Sequence, residues 1–345
     1  MNRDRDISPP RKDDSAAELD GRAATGAAWG FHRRAWFDML ARHCFAGREV
    51  LTPQARIGDA SAVLPLVRDA EDGRLSALAN YYSFSYAPVF EGVEDAAVRE
   101  ALVLQIAAGL RGSAGRISLY PLIDNEGDAM PELLRRAFAC AGWIALLTDQ
   151  GGNYIVDLES QDFEAYWRTR PGALRASVRR KQRSGRYAYD IHRHLNDPLW
   201  QEYCAVYAAS WKNAEPYPAM VRAVAEEAGA RGCLRLGIAR HDGHGVAAQL
   251  WTIEGDTACI HKIAHDNTED SHSPGTLLSH HMFAHMIDVE KVSRIDYGTG
   301  GNAYKRDWME RERPMLRLDC FDPRRAGQWL PALRTRISQL VRRPT

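Results

Sequence analysis

The sequence lacks several features that assign a function quickly. Its six cysteines are Cys44, Cys140, Cys204, Cys233, Cys259 and Cys320. None lies at CxxC spacing from another, which argues against a zinc ribbon or a dithiol redox motif. Scattered lone thiols suit a reducing compartment. No apolar run is long enough to cross a bilayer. The first residues, "MNRDRDISPPRKDDSAAELDG", have no apolar core and do not read as a secretory signal. Residues 1–22 are expected to form a disordered tail, and the location is expected to be cytoplasmic. Net charge is missing as well, since 45 Lys+Arg balance 45 Asp+Glu. That balance argues against a chain built mainly to coat nucleic acid, although it allows a local basic patch.

What remains is ample material for a core. The chain has 345 residues and is 45% apolar, enough for roughly two domains. Helical and strand-like segments alternate from the start. Ala27–Phe45 has helical spacing, Val50–Ile57 and Ala62–Arg68 read as strands around a Gly58-Asp59 turn, and Val93–Gly112 reads as a helix. "RISLYPL", "PELLRRAFACAG" and "NYIVDL" continue as strand, helix and strand. From Asp162 the chain turns helical and basic, with Arg170, Arg175, Arg179, Arg180, Lys181, Arg183 and Arg186 close together. Leu199 to Gly229 is helical again, interrupted by the prolines of "SWKNAEPYP". "CLRLGIAR", "VAAQLWTI" and "TACIHKIAHD" then form a three-strand meander with tight turns. A polar loop leads to a helix from Gly275 to Glu290, the strand "RIDYG", a last strand "MLRLDCF" and a final amphipathic helix, Arg324–Arg343.

Two loops could hold a phosphate. The glycine-rich Gly298–Ala303 is followed by Lys305, but Arg306 stands where a Walker A loop needs Ser or Thr. Gly298-x-Gly300-x-x-Ala303 fits the dinucleotide fingerprint, with Asp319 at about the right distance. Yet "YKRDWMERER" is too short and polar for a crossover helix, and too little chain follows to complete a doubly wound sheet. The better anion site lies upstream. In "DSHSPG", Ser273 suits an N-cap, Pro274 a first helical turn, and Gly275 leaves the backbone open to a ligand.

The order of meander, strand, small-residue loop, helix and strand resembles the core of the GNAT acyltransferase superfamily. The resemblance is sharpest to its FemAB-like branch, which includes acetyltransferases associated with cellulose and other polysaccharide or cell-envelope synthesis. Four segments carry it: "YWRTRPGALRASVRRKQR", "SWK", "HSPGTLL" and "IDYGTGGNAYKRDW". Asp296, Tyr297, Gly298, Tyr304, Lys305, Arg306 and Trp308 match the branch's usual pattern in the last of these. The common GNAT phosphate motif, Arg/Gln-x-x-Gly-x-Gly/Ala, is replaced by "SPGTLL". The resemblance implies an α/β fold of two tandem GNAT-like subdomains, with mixed, mostly antiparallel sheets flanked by helices. The expected boundaries are 23–160 and 161–322, with a basic C-terminal helix over 323–345.

The resemblance also implies transfer of an acyl group, acetyl above all, from a CoA thioester to an amine on a small molecule, glycan or peptide. An aminoacyl-tRNA donor and a non-catalytic binding module are the alternatives. Donor binding falls to Ser273, Pro274, Gly275, Thr276, Leu277 and Leu278, with backbone groups of Ile263 and Ala264 beside the pantetheine arm. Candidates for proton transfer are His261, His265, Asp296, Tyr304 and Lys305, since histidine titrates near neutrality. Trp211, Lys212, Tyr297 and Arg180 are the expected substrate contacts. Eight of the twelve histidines fall between His241 and His285. His281 and His285 are four apart on one helix face, but nothing completes a metal site and none is expected. The C-terminal stripe of Trp329, Leu333, Ile337, Leu340 and Val341 is read as packing on the core, with peripheral membrane contact as the alternative.

Overall fold

The structure is a computed structural model that describes residues 30–124, 129–159, 161–300 and 303–341; the side chains of Ala303 and of residues 338–341 lie outside that description. The expected disordered tail, 1–22, therefore falls outside the described residues, as do the side chains of Leu340 and Val341.

The first half contains α1 (Arg34–His43), β1 (Val50–Leu51), β2 (Gln54–Ile57), β3 (Ala60–Val63), β4 (Leu66–Arg68), β5 (Leu75–Ala77), β6 (Val89–Glu91), α2 (Ala96–Gly109), β7 (Arg116–Ile123), α3 (Met130–Cys140) and β8 (Ile144–Asp157). The second half contains α4 (Phe163–Thr169), α5 (Gly172–Gln182), β9 (Ala188–His192), α6 (Asp197–Ala208), α7 (Pro218–Ala230), β10 (Leu234–His241), β11 (His244–Glu254), β12 (Thr257–His265), α8 (Pro274–Ala284), β13 (Arg294–Thr299), α9 (Ala303–Trp308), β14 (Arg311–Phe321) and α10 (Trp329–Val341). The meander predicted from the hairpin turns is β10–β11–β12. Three strands were not expected: β5 and β6 are only three residues long, and β9 is a partly exposed strand at the end of the sheet. A fourth difference is β8, which begins at Ile144 rather than Asn153, because a polar stretch in its middle hides the strand pattern.

Eleven strands form one mixed sheet in the order β1-β4-β5-β7-β14-β8-β13-β12-β11-β10-β9, with β2-β3-β6 as a separate small sheet. Two pairs in the large sheet are parallel, β5 with β7 and β12 with β13. Each is joined across a helix, α2 or α8. The order reads alike from either side of the central β14–β8 pair. The last strand of each half has crossed over: β8 pairs with β13, and β14 pairs with β7. The halves therefore share an uninterrupted ladder. Apolar side chains fill both faces. Val103, Ile106, Leu134, Tyr203 and Val221 belong to one core cluster. Tyr166, Leu278, Phe283 and Trp308 belong to the other.

A buried polar knot sits at the crossover. Asp296 on β13, Asn153 on β8 and Arg313 on β14 are all buried. Arg313 Nη2 donates to Asp296 Oδ2 at 2.9 Å and to Asn153 Oδ1 at 3.1 Å. Asn153 Nδ2 and the Gly298 amide both donate to Asp296 Oδ1, at 2.9 and 2.7 Å. Gly298 turns the chain with φ +65°, and a Cβ there would stand 3.1 Å from the Phe84 ring. Removing one partner of a buried ion pair leaves the other charge uncompensated. Asp296→Ala should therefore lower stability by about 3–5 kcal/mol. Asp296→Leu combined with Arg313→Met should lose less than the single variant; urea unfolding of all three proteins checks both statements.

Candidate active site

The parallel ladder between β12 and β13 is short. Thr257–Cys259 pair with Arg294–Asp296 and the pairing ends there, although β12 continues to His265. A register shift against β11 places Leu250 opposite Lys262 and Trp251 opposite Ile260, so His261 is the extra residue of a bulge. Such a bulge re-aims the strand beyond it. Ile263 and Ala264 thus lie on a stretch paired with β11 on one side and released by β13 on the other.

The start of α8 faces the same region. Pro274 occupies its first turn, as predicted. Ser273 does not cap the helix: its backbone is left-handed (φ 54°) and its side chain makes no capping hydrogen bond. Its hydroxyl instead accepts from the Lys181 ammonium on α5. The first N–H groups of a helix have no intrahelical partner, so the N–H groups of this uncapped first turn are presented beside a lysine. Burial, then the neighbouring Arg180 charge, pull the Lys181 pKa down. Arg180 itself is exposed. Gly275 is close to the His265 ring, and a Cβ would stand 2.9 Å from its Nδ1. His265 Nε2 meets Asp270 Oδ1 at 2.7 Å, and the exposed Trp211 ring lies 4.6 Å from the imidazole. Leu277 and Leu278 are buried in the core beneath the helix, so they anchor it rather than face a ligand.

Several expected reacting groups have other occupations. His261 packs near Phe31 and Phe84, with Nε2 2.9 Å from Thr252 Oγ1. Burial, assisted by Lys262, pushes its pKa down to about 3, which leaves it neutral and a poor base at neutral pH. Asp296 is held in the central knot, and burial raises its pKa over the opposing effect of Arg313. Lys305 Nζ donates to the Tyr297 carbonyl at 2.9 Å and to the Thr299 carbonyl, and sits 5.0 Å over the Tyr297 ring. It staples the glycine turn to β13. Burial lowers its pKa to about 8. Tyr304 meets Ser279 Oγ at 2.9 Å and also Thr276, docking α9 onto the first turns of α8. Tyr297 is buried, so it supports the cleft wall. His281 stacks on Tyr189 while His285 meets Glu290, so these histidines have different partners. Among the described residues no cluster could hold a metal ion.

The structure adds residues that the sequence did not single out. Glu215, in the proline-broken segment, accepts from Lys262 on β12, from Tyr81 and Tyr82 of the first half, and from Tyr207 on α6. Burial pushes its carboxyl up, but Lys262 and Tyr82 outweigh burial and leave it below the usual range. Lys212 stands between the Tyr207 and Trp211 rings, 5.7 and 5.6 Å from their centroids. Burial, with Lys262 next, lowers its pKa to about 8. Beside it a cavity of about 330 Å³ is lined by Trp200, Tyr203, Tyr207, Lys212 and Glu215. Lys181 was visible only as one member of a basic run, and Lys262 only as a neighbour of His261. Nothing local marks Tyr81 or Tyr82.

Comparison with known proteins bears on the fold. Residues 170–306 match the family model described as an acetyltransferase (GNAT) domain. Among solved structures, the C-terminal DUF2156 domain assigned to a lysylphosphatidylglycerol synthetase of Agrobacterium fabrum is 15% identical, with 88% of this chain and 90% of that one covered at a TM-score of 0.55. L-PGS from Bacillus licheniformis is 12% identical over 90% and 98%, at 0.54. FemX is 10% identical over 84% and 91%, at 0.57. At these identities the likeness shows the fold, which is the GNAT fold. No curated protein matches the chain. The α8 start predicts that Gly275→Ala, which must displace His265, lowers affinity for a CoA thioester at least tenfold, about 1.4 kcal/mol. The melting temperature should change little; calorimetric titration and a thermal melt check the pair of outcomes.

Proposed function

We propose that the protein is an N-acyltransferase that moves an acyl group, acetyl first among them, from a CoA thioester to an amine. The observation that carries this reading is the uncapped start of α8 with Lys181 against it, at the opening between β12 and β13. A helix N-terminus with an adjacent cation suits a pyrophosphate. The matched GNAT domain over 170–306 supports the same reaction class.

The co-substrate supplies an activated acyl carbon. In this reading backbone groups of Ile263 and Ala264, on the part of β12 unpaired with β13, hydrogen-bond the thioester carbonyl and stabilise the developing oxyanion. The amine nitrogen attacks, a C–N bond forms and the C–S bond breaks. The amine's proton leaves with the thiolate, which departs as a thiol. His261, neutral and packed between aromatic rings, does not serve as the base. In this reading the acceptor enters as the free amine or loses its proton to water. The rate should then follow the free-amine fraction and rise with pH toward the acceptor's own pKa.

The rival donor is an aminoacyl-tRNA, which the exposed Arg179, Arg180 and Arg183 of α5 could approach. Titration with acetyl-CoA, a longer acyl-CoA and bulk tRNA separates the two. Acetyl-CoA should bind and Lys181→Ala should weaken it about tenfold. Binding of tRNA without any thioester would overturn the reading.

A membrane contact also belongs to this proposal. Trp329, Leu330, Leu333 and Ile337 on α10 are exposed, contrary to the expected packing on the core, and Arg334 and Arg336 beside them are exposed too. An apolar face bordered by arginines suits an anionic lipid surface. No helix among the described residues is long and apolar enough to cross a membrane. Co-sedimentation with anionic vesicles should fall several-fold for Trp329→Ser with Leu333→Ser, while both proteins stay in solution with neutral vesicles.

A further inference from the structure

The cavity beside Lys212 has a chemistry of its own. Its volume, about 330 Å³, is that of roughly eleven water molecules at ~30 Å³ each. It therefore suits a ligand of about ten non-hydrogen atoms. Its walls are mainly apolar and aromatic: Trp200, Tyr203, Tyr207 and Val221 line it.

Its polar groups are unbalanced. Glu215 is the carboxylate on the wall, and a carboxylate has about four acceptor sites. Lys262, Tyr81, Tyr82 and Tyr207 already donate to it. Lys212 is half-buried with its ammonium against the Tyr207 and Trp211 rings; among the described residues it makes no side-chain hydrogen bond or ion pair, and the Glu215 charge acts on it only from beyond contact. Tyr203 is 3% exposed and its hydroxyl is buried without a hydrogen-bond partner. A half-buried cation and an unsatisfied buried hydroxyl are both costly unless something pairs with them. Lys212 and Tyr203, both on the cavity wall, are donors without an acceptor among the described residues, and the one carboxylate there is taken.

We propose that this cavity binds a small carboxylate with an apolar or aromatic body, held by Lys212 and Tyr203. Taken with the acyl-transfer reading, on which this step rests, the ligand is the acceptor, an amino-acid-like amine. The monoanion is favoured over a phosphate, because one unneutralised ammonium matches a single charge and a phosphate brings close to two. Trp211 connects the two regions: its ring lies 5.6 Å from Lys212 Nζ and 4.6 Å from His265, which packs on Gly275 at the start of α8.

The test uses the full chain and calorimetric titration with L-phenylalanine, L-phenylalaninamide and phenyl phosphate, without any CoA thioester. L-Phenylalanine should bind at least tenfold tighter than its amide. Lys212→Met should erase that preference and leave acetyl-CoA affinity unchanged. Tyr203→Phe, which keeps the ring packing, should weaken the acid several-fold with little change for the amide; it covers the case in which Lys212→Met does not fold. Equal binding of acid and amide, no binding of either, or tighter binding of phenyl phosphate would overturn the proposal. Carboxylate binding without acetyl-CoA binding would uphold the cavity and sink the acyl-transfer reading alone.

Discussion

The buried contact of Asp296 with Arg313 and Asn153 is the constraint on which the remaining geometry depends. It joins β13, β8 and β14 at the place where each half lends its last strand to the other. The Gly298 amide donates to the same carboxylate, so the knot also fixes the turn at the end of β13. Lys305 then fastens that turn through two carbonyls, and Tyr304 fastens α9 to α8. A buried ion pair is weak evidence for stability in itself, because desolvation offsets the attraction. Its value here lies in register: a slip of one residue would separate all three partners.

This frame also limits the β12–β13 ladder. β13 is held to β8 by the crossover, while β12 carries the His261 bulge just beyond its last pair with β13. The strands separate after three paired residues, and the first turn of α8 is presented at the opening. Lys181, Lys212 and Lys262 come from three different elements and give the region its positive character. Lys262 is neutralised by Glu215, Lys181 donates to Ser273 and Lys212 stands against the Tyr207 ring. Tyr81 and Tyr82 bring the first half into the same network, so neither half contains the whole site.

Much of this was legible in the sequence, for reasons that are local. The meander announced itself through hairpin turns and alternation, and the α8 start through Ser-Pro-Gly before an apolar helix. The order of these elements pointed to the GNAT fold. The strand exchange was not legible, because nothing in β8 or β14 names a partner some 160 residues away. The half-exposed strand β9 and the polar middle of β8 both lack the pattern that marks a strand. Site residues were misread wherever burial decides the role. His261, Asp296 and Lys305 carry reactive side chains, but one is neutralised by burial and the other two are spent on holding the backbone. Glu215 and Lys262 became visible only as a pair brought together from two elements.

On the acyl-transfer proposal the donor lies across the first turn of α8 and along the edge of β12 beyond its pairing with β13. Hydrogen–deuterium exchange with and without acetyl-CoA decides whether it does. Exchange should slow at residues 274–278 and 261–265 and nowhere else. Protection elsewhere, for instance at α2 between the parallel strands of the first half, with 274–278 unchanged, would contradict it.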